Sequence, residues 1–361
     1  MADFAANPAE QFAATALEIF FNMAVAPQIT NDEYEGEIKK GGERLNMLTL
    51  AESQGLQSYS GSNLTLGQVT ESEAQLVIDQ KKAYYFAVKS FDKFKSYVKD
   101  PESNIMKQKA GQLQEAVDTF VLGLYGDVAA GNRVGTNYAT GTVTVDVTTG
   151  AVTGSGTTFT AAMVGRGFKA AGHTRWYRVK TYTSATAIVI EDDFDDITSA
   201  YTGGAIGAGA TYTIEAATKL QVAKTTIYGY IAQLAEKLNK AKAPRNDRWL
   251  VIPSEIETII VQATEFTRAV DADTEVIRNG LLGKIAGFTV YTSEMLSGNN
   301  TDGFRVLAGH KLAICHAMAF VETGIEDLVG NFGKAYKGLN CYGAKVADER
   351  RKFLAEGFWY V

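Results

Sequence analysis

A glycine and a lysine, Gly283 and Lys284, stand beside an apolar run in "NGLLGKIAGFTVYTSEML" (279–296). A phosphate-cradling loop needs Gly-x-x-x-x-Gly-Lys-Ser/Thr ahead of a helix, because backbone N–H groups and a helix N-terminus hold the anion. Here Arg278 occupies the first glycine position, Ile285 follows the lysine, and the residues beyond read as a strand. "GGAIGAGATY" supplies Gly207 and Gly209 for a dinucleotide fingerprint, but Tyr212 stands where the third glycine belongs, and a strand follows. His310, Cys315, His316 and Cys341 are metal-ligand types. Neighbouring residues of a strand point to opposite faces, so Cys315 and His316 are poorly placed for one tetrahedral ion. His173 stands alone, and three histidines leave little material for a His-based triad. The run "EDDFDD" offers Asp192, Asp193, Asp195 and Asp196 as oxygen ligands for calcium, without the turn glycine and distal glutamate of an EF-hand. A solvated turn, or an acidic patch facing a basic partner, is the better reading. The cluster Glu349, Arg350, Arg351, Lys352 reads as a solvated turn or an intersubunit ion pair. Beyond the calcium candidate no catalytic, cofactor or metal constellation emerges, and the chain reads as non-enzymatic.

The elements that would position such residues fall into distinct stretches. An amphipathic helix is expected near residues 10–24. Residues 35–82 hold short alternating pieces around a Gly/Ser-rich middle, two long weakly hydrophobic strands joined at a tip. A two-stranded hairpin is at best marginally stable alone, so it needs a support, and another copy of the chain is the natural one. "PESNIMKQKAGQLQEAVDTFVLGLYGDVAAG" predicts a helix from Pro101 to about Gly131, with Leu113, Ala116/Val117, Phe120 and Leu124 on one stripe. Residues 138–215 contain no Leu and no Pro and are rich in Thr, Gly, Val and Tyr. "TGTVTVDVTTG" alternates, with Val143, Val145 and Val147 toward one face, and this stretch reads as an all-β module. A second helix is predicted through Leu220, Ala223, Ile227, Ile231, Leu234 and Leu238. "RWLVIP" reads as a strand, and Ser254 with Glu257 as a capping box. Helices thus bracket a β insert in an α+β host.

The chain has 361 residues, 46% of them hydrophobic, enough for a sizeable core and two or three domains. A net charge of −6 argues against nucleic-acid affinity over the whole surface. The first 30 residues lack a basic leader, and Glu18 interrupts their apolar run, so neither a signal peptide nor a membrane span is expected. Two cysteines make no disulfide framework and fit a reducing cytosol.

The segment order, together with "DRWLVIPSEIETIIVQ", "IRNGLLGKIAGFTVYTSEML", "RVLAGHKLAICHAMAFVETGIED" and "GLNCYGAKVADERR", resembles the major capsid proteins of tailed bacteriophages with the Hong Kong 97 phage fold. The resemblance implies an α+β fold with an N-terminal arm (1–34), an extended hairpin (35–82) and a peripheral domain with a spine helix (83–137). It further implies an all-β insertion domain (138–215), an axial domain (216–340) and a C-terminal return strand (341–361). It implies a shell built through hexamers and pentamers around phage DNA, assembled in the host bacterial cytoplasm. The implied partners are further copies, a separate scaffolding protein, since no scaffolding segment fits before the hairpin, a portal protein and a cement or decoration protein. Contact with packaged DNA would be non-specific, and no membrane is involved. An encapsulin-like compartment shell, or a phage tail or adhesin protein, is the alternative.

Overall fold

The computed structural model describes residues 25–31, 44–50, 71–90, 101–192, 201–263, 283–328, 330 and 332–361. The predicted helix at 10–24 lies outside them. The chain divides into two units, Met1–Val121 with Ile314–Glu349, and Leu122–Ala313 with Arg350–Val361.

The first unit holds an antiparallel sheet of β3 (Gln80–Lys89), β18 (Ile314–Asp327) and β19 (Gly333–Val346), with β19 central. Aromatic pairs line it: Phe86 stacks on Tyr336 at 5.1 Å, and Phe120 meets Tyr342 edge-on at 5.7 Å. The predicted hairpin is present as β1 (Arg44–Leu50) and β2 (Glu71–Val77), paired from Arg44↔Val77 to Leu50↔Glu71; its tip, 51–70, lies outside the described residues. Helix α2 (Pro101–Leu122) buries Met106, Ala110, Val117 and Val121 at helical spacing. It stops short of the predicted end. A 3-10 turn over Gly123–Asp127 takes Leu124 off the stripe, where two glycines weaken the helix. From α2, the buried Asp118 carboxylate accepts the Ala26 and Val25 N–H groups at 2.9 and 3.2 Å, capping α1 (Ala26–Ile29). Burial pushes the Asp118 carboxyl up, and these two backbone bonds oppose it.

The second unit contains two sheets. Strands β5 (Thr136–Tyr138), β6 (Thr142–Val145), β7 (Ala151–Ser155), β8 (Gly167–Ala170), β9 (Tyr177–Ser184), β10 (Ala187–Asp192), β11 (Ile206–Ala210) and β12 (Tyr212–Thr218) form an eight-stranded sheet ordered β11-β6-β7-β10-β9-β8-β12-β5. This is the predicted β module, with Phe168, Tyr177, Ile188, Ile190 and Ile214 in its core. Val143 and Val145 are buried as the alternation predicts, but Val147 is exposed. Asp146 Oδ1 accepts the N–H groups of Thr148 (2.7 Å) and Thr149 (3.2 Å), and this local turn ends the strand first.

The other sheet contains β13 (Leu220–Gln221), β14 (Arg248–Ile252), β15 (Lys284–Ile285), β16 (Phe288–Thr292), β17 (Phe304–His310) and β20 (Leu354–Tyr360), ordered β13-β20-β17-β14-β16-β15, with β4 (Arg133–Val134) also on β20. Helix α3 (Ile227–Lys240) buries Ile227, Ile231, Leu234 and Leu238 in the core with Trp359, Leu250 and Ile252. Such side chains contribute roughly 1.5–3 kcal/mol each. Its predicted first turns are absent, because Leu220 and Gln221 pair with Trp359 and Tyr360 instead. Helix α4 (Ser254–Val261) begins after Pro253 without the expected capping box. Ser254 is already helical, and its N–H donates to Glu294 Oε1 at 3.0 Å. The predicted return strand 341–361 divides: 341–346 complete β19, a 3-10 turn spans Asp348–Phe353, and β20 follows. No helix among the described residues is long and apolar enough to cross a membrane.

Candidate functional site

The densest polar chemistry of the second unit lies where the β module meets β20. Glu356 sits in an otherwise apolar strand and is fully buried. Strand pairing delivers its first partner, since β4 runs parallel to β20 with Arg133 opposite Glu356. Arg133 Nε donates to Glu356 Oε2 at 3.0 Å. Arg166, from the turn before β8, donates through Nη1 to both carboxylate oxygens at 2.8 and 2.7 Å. Arg305, on the neighbouring β17, donates to Oε1 at 3.2 Å. Its guanidinium lies 3.5 Å from the Phe358 ring centroid, a cation–π stack that fixes its plane. A second carboxylate continues the network. Glu215, on β12, accepts Arg133 Nη1 at 3.0 Å and the Gly131 N–H at 2.6 Å, while Lys237 donates to the Gly131 carbonyl at 2.8 Å. Burial pushes the Glu215 carboxyl above the usual carboxylate range, with Arg133 opposing. Three arginines and two glutamates therefore tie the module to the host sheet. Arg133 and Arg166 are nearly sealed from solvent, so the pairs gain strength from the low dielectric but bear a desolvation cost. A cavity of about 210 Å³ opens against Arg133, Arg166, Arg305 and Glu356.

The residues singled out from the sequence lie elsewhere. Lys284 is exposed in β15, and the β15–β16 connection is Ala286-Gly287, with φ of +48° and +87°. A two-residue hairpin turn requires that positive pair, so the glycine there serves a turn and not a phosphate. Gly207 and Gly209 lie on β11, an edge strand of the module. Of the calcium candidates, Asp192 is buried, and its carboxylate is engaged by Arg175 and by Thr202. Burial pushes its carboxyl up, but these bonds prevail and hold it below the usual range. Asp193, Asp195 and Asp196 lie outside the described residues. No group of three His, Cys, Asp or Glu among the described residues is placed to hold a metal. Cys315 and Cys341 are buried free thiols on neighbouring strands. Cys315 faces Lys345 in the ladder, four residues along β19 from Cys341. That is about 13 Å at strand rise, too far for a disulfide. Arg350 donates to the Leu312 carbonyl at 3.2 Å within its own unit. None of the network's charges was singled out from the sequence. The available signal was a single Glu in the apolar run "LAEGFWY".

Among protein families, residues 174–355 match one described as phage capsid protein, half of the chain. This chain belongs to that phage capsid protein family. Solved structures agree in fold. One from Mycobacterium phage Che8 aligns with a TM-score of 0.56 and 17% identity, covering 93% of this chain and 91% of that one. The capsid of the Cyanophage P-SCSP1u aligns at 0.53 and 15% identity, covering 91% and 85%. No curated protein matches. The chain is a major capsid protein with the Hong Kong 97-type fold and an all-β insertion domain. This capsid protein is a structural component of the virion and assembles with copies of itself.

Proposed function

We propose that this capsid protein closes an icosahedral shell around phage DNA through hexamers and pentamers, without catalytic activity. The observation that carries the reading is the β1–β2 ladder, paired over seven residue positions, whose β1 has no other strand beside it among the described residues. An open strand edge and a long extended hairpin suit overlap with a neighbouring subunit. In this assignment residues 1–34 are the arm, 35–82 the overlapping hairpin, 83–137 the peripheral domain and 138–215 an insertion displayed on the outer surface. Residues 216–340 form the axial domain and 341–361 its return. A separate scaffolding protein guides closure in the host cytoplasm, a portal protein occupies one vertex, a cement protein binds outside, and DNA contact is non-specific. Asp192 ties Arg175, ahead of β9, to Thr202, and is not a calcium ligand.

Electron microscopy of the purified chain, alone and with a scaffolding protein, tests this. Rings of five and six, and shells, are expected. A monomer at every concentration, with the β1–β2 edge strongly protected from hydrogen exchange before assembly, would overturn it.

A further inference from the structure

We propose that the cavity at the ionic junction is a binding site for a small oxyanion, inorganic phosphate being the probe. The site lies within one subunit, however the shell closes. Three guanidiniums and two carboxylates meet there, one positive charge in excess, with the Lys237 ammonium beside them. Both Glu356 oxygens are already saturated by Arg133, Arg166 and Arg305. The Nε and Nη2 atoms of Arg166 and Arg305 have no hydrogen-bond partner among the described residues, yet none of them is sealed from solvent. Arg166 and Arg305 both line the cavity.

The site is pre-organised. Arg305 is held flat on Phe358, and the Tyr125 ring centroid lies 5.6 Å from its guanidinium. Arg166 is locked by two short bonds to one carboxylate. Planar guanidinium forks match the oxygens of a tetrahedral or planar oxyanion, and burial of the arginine stems lowers the ordering cost of binding. The remaining wall is Ala161, Ala162, Val164 and Gly165, so among the described residues no side chain fills the space. A cavity of about 210 Å³ accommodates a tetrahedral oxyanion with several waters, at about 30 Å³ per water in the liquid. A bound anion would neutralise the excess charge at the root of the insertion and stiffen its attachment.

Thermal unfolding and calorimetric titration of the full-length chain test this. In millimolar phosphate the melting midpoint should rise by a few degrees over chloride at equal ionic strength, with saturable heat at one site per chain. Val164 lines the cavity and is exposed, so Val164→Glu should fold and place a carboxylate at the site. That variant should melt higher than the parent in chloride and lose the phosphate increment. No saturable heat with the parent chain overturns the proposal. So does an equal phosphate increment in parent and variant, which would mark a general solute effect.

Discussion

Replacing Glu356 with Gln removes the one carboxylate that three guanidiniums share. Each charge-assisted bond contributes about 1.5–3 kcal/mol net, so three arginine partners set an upper bound of about 5–9 kcal/mol. The loss is smaller than that bound for two reasons visible in the geometry. Gln keeps one acceptor oxygen, and the Arg305 side chain, 15% exposed, can turn toward water, whereas Arg133 and Arg166, at 2% and 4%, cannot. Breaking a buried pair by removing one partner costs about 3–5 kcal/mol, and that is the expected effect. It is large beside a total stability of about 5–15 kcal/mol. Urea unfolding of unassembled subunits reads it as a lower midpoint at unchanged slope. The deficit should persist in high salt, because a dry pair is poorly screened. Adding Arg166→Met to Glu356→Gln should cost less than the sum of the two, with a coupling of about 1 kcal/mol or more. A single variant within about 0.5 kcal/mol of the parent, or strict additivity of the pair, refutes the reasoning.

Three further outcomes follow from the geometry. His310 is buried, and burial pushes its imidazole below its ordinary value of 6.5, with Asp247 opposing and Arg248 assisting. Its Nδ1 accepts the Leu312 N–H at 3.1 Å, so a proton on Nδ1 would break that bond. Because the folded value lies below the unfolded one, the contribution is complete above about pH 6.5 and is lost as pH falls through the folded value. His310→Gln should flatten that acid limb in a pH series of unfolding midpoints, and an unchanged limb would exclude His310 as its source. Asp118→Ala should cost about 1–3 kcal/mol and speed amide exchange at Val25 and Ala26, which lose their acceptor; unaltered exchange there would count against the cap. Thiol titration of the unreduced, denatured chain should find two free thiols, and none would contradict the ladder register.

How far the sequence could be read depends on the range of the deciding interaction. Val143 and Val145 announced a strand because alternation is local, and Ile227, Ile231, Leu234 and Leu238 announced a helix for the same reason. Val147 escaped because the Asp146 side chain offered the backbone a competing turn. Leu220 fitted the helical stripe equally well, and only β20, some 140 residues on in the chain, claimed it as a strand. The capping pattern at Ser254 was outcompeted by Glu294, forty residues away. The ionic junction was least legible. Glu356 meets Arg305, Arg166 and Arg133 across separations of 51, 190 and 223 residues, and no short motif encodes such a meeting. Its one trace was a solitary charge in an apolar strand, which burial makes untenable without partners.

β20 grips both ends of the insertion. Arg133 and Val134 run alongside Glu356 and Gly357, and Leu220 and Gln221 run alongside Trp359 and Tyr360, all in parallel. The points where the chain departs and comes back are thus within a few residues of each other on a single rail, roughly 10 Å at strand rise. A gap that narrow can be spanned by a handful of glycines or by an unrelated cargo domain. The coat's architecture can therefore keep its framework while what hangs on it is traded, provided the replacement again supplies a cation to Glu356 where Arg166 now stands.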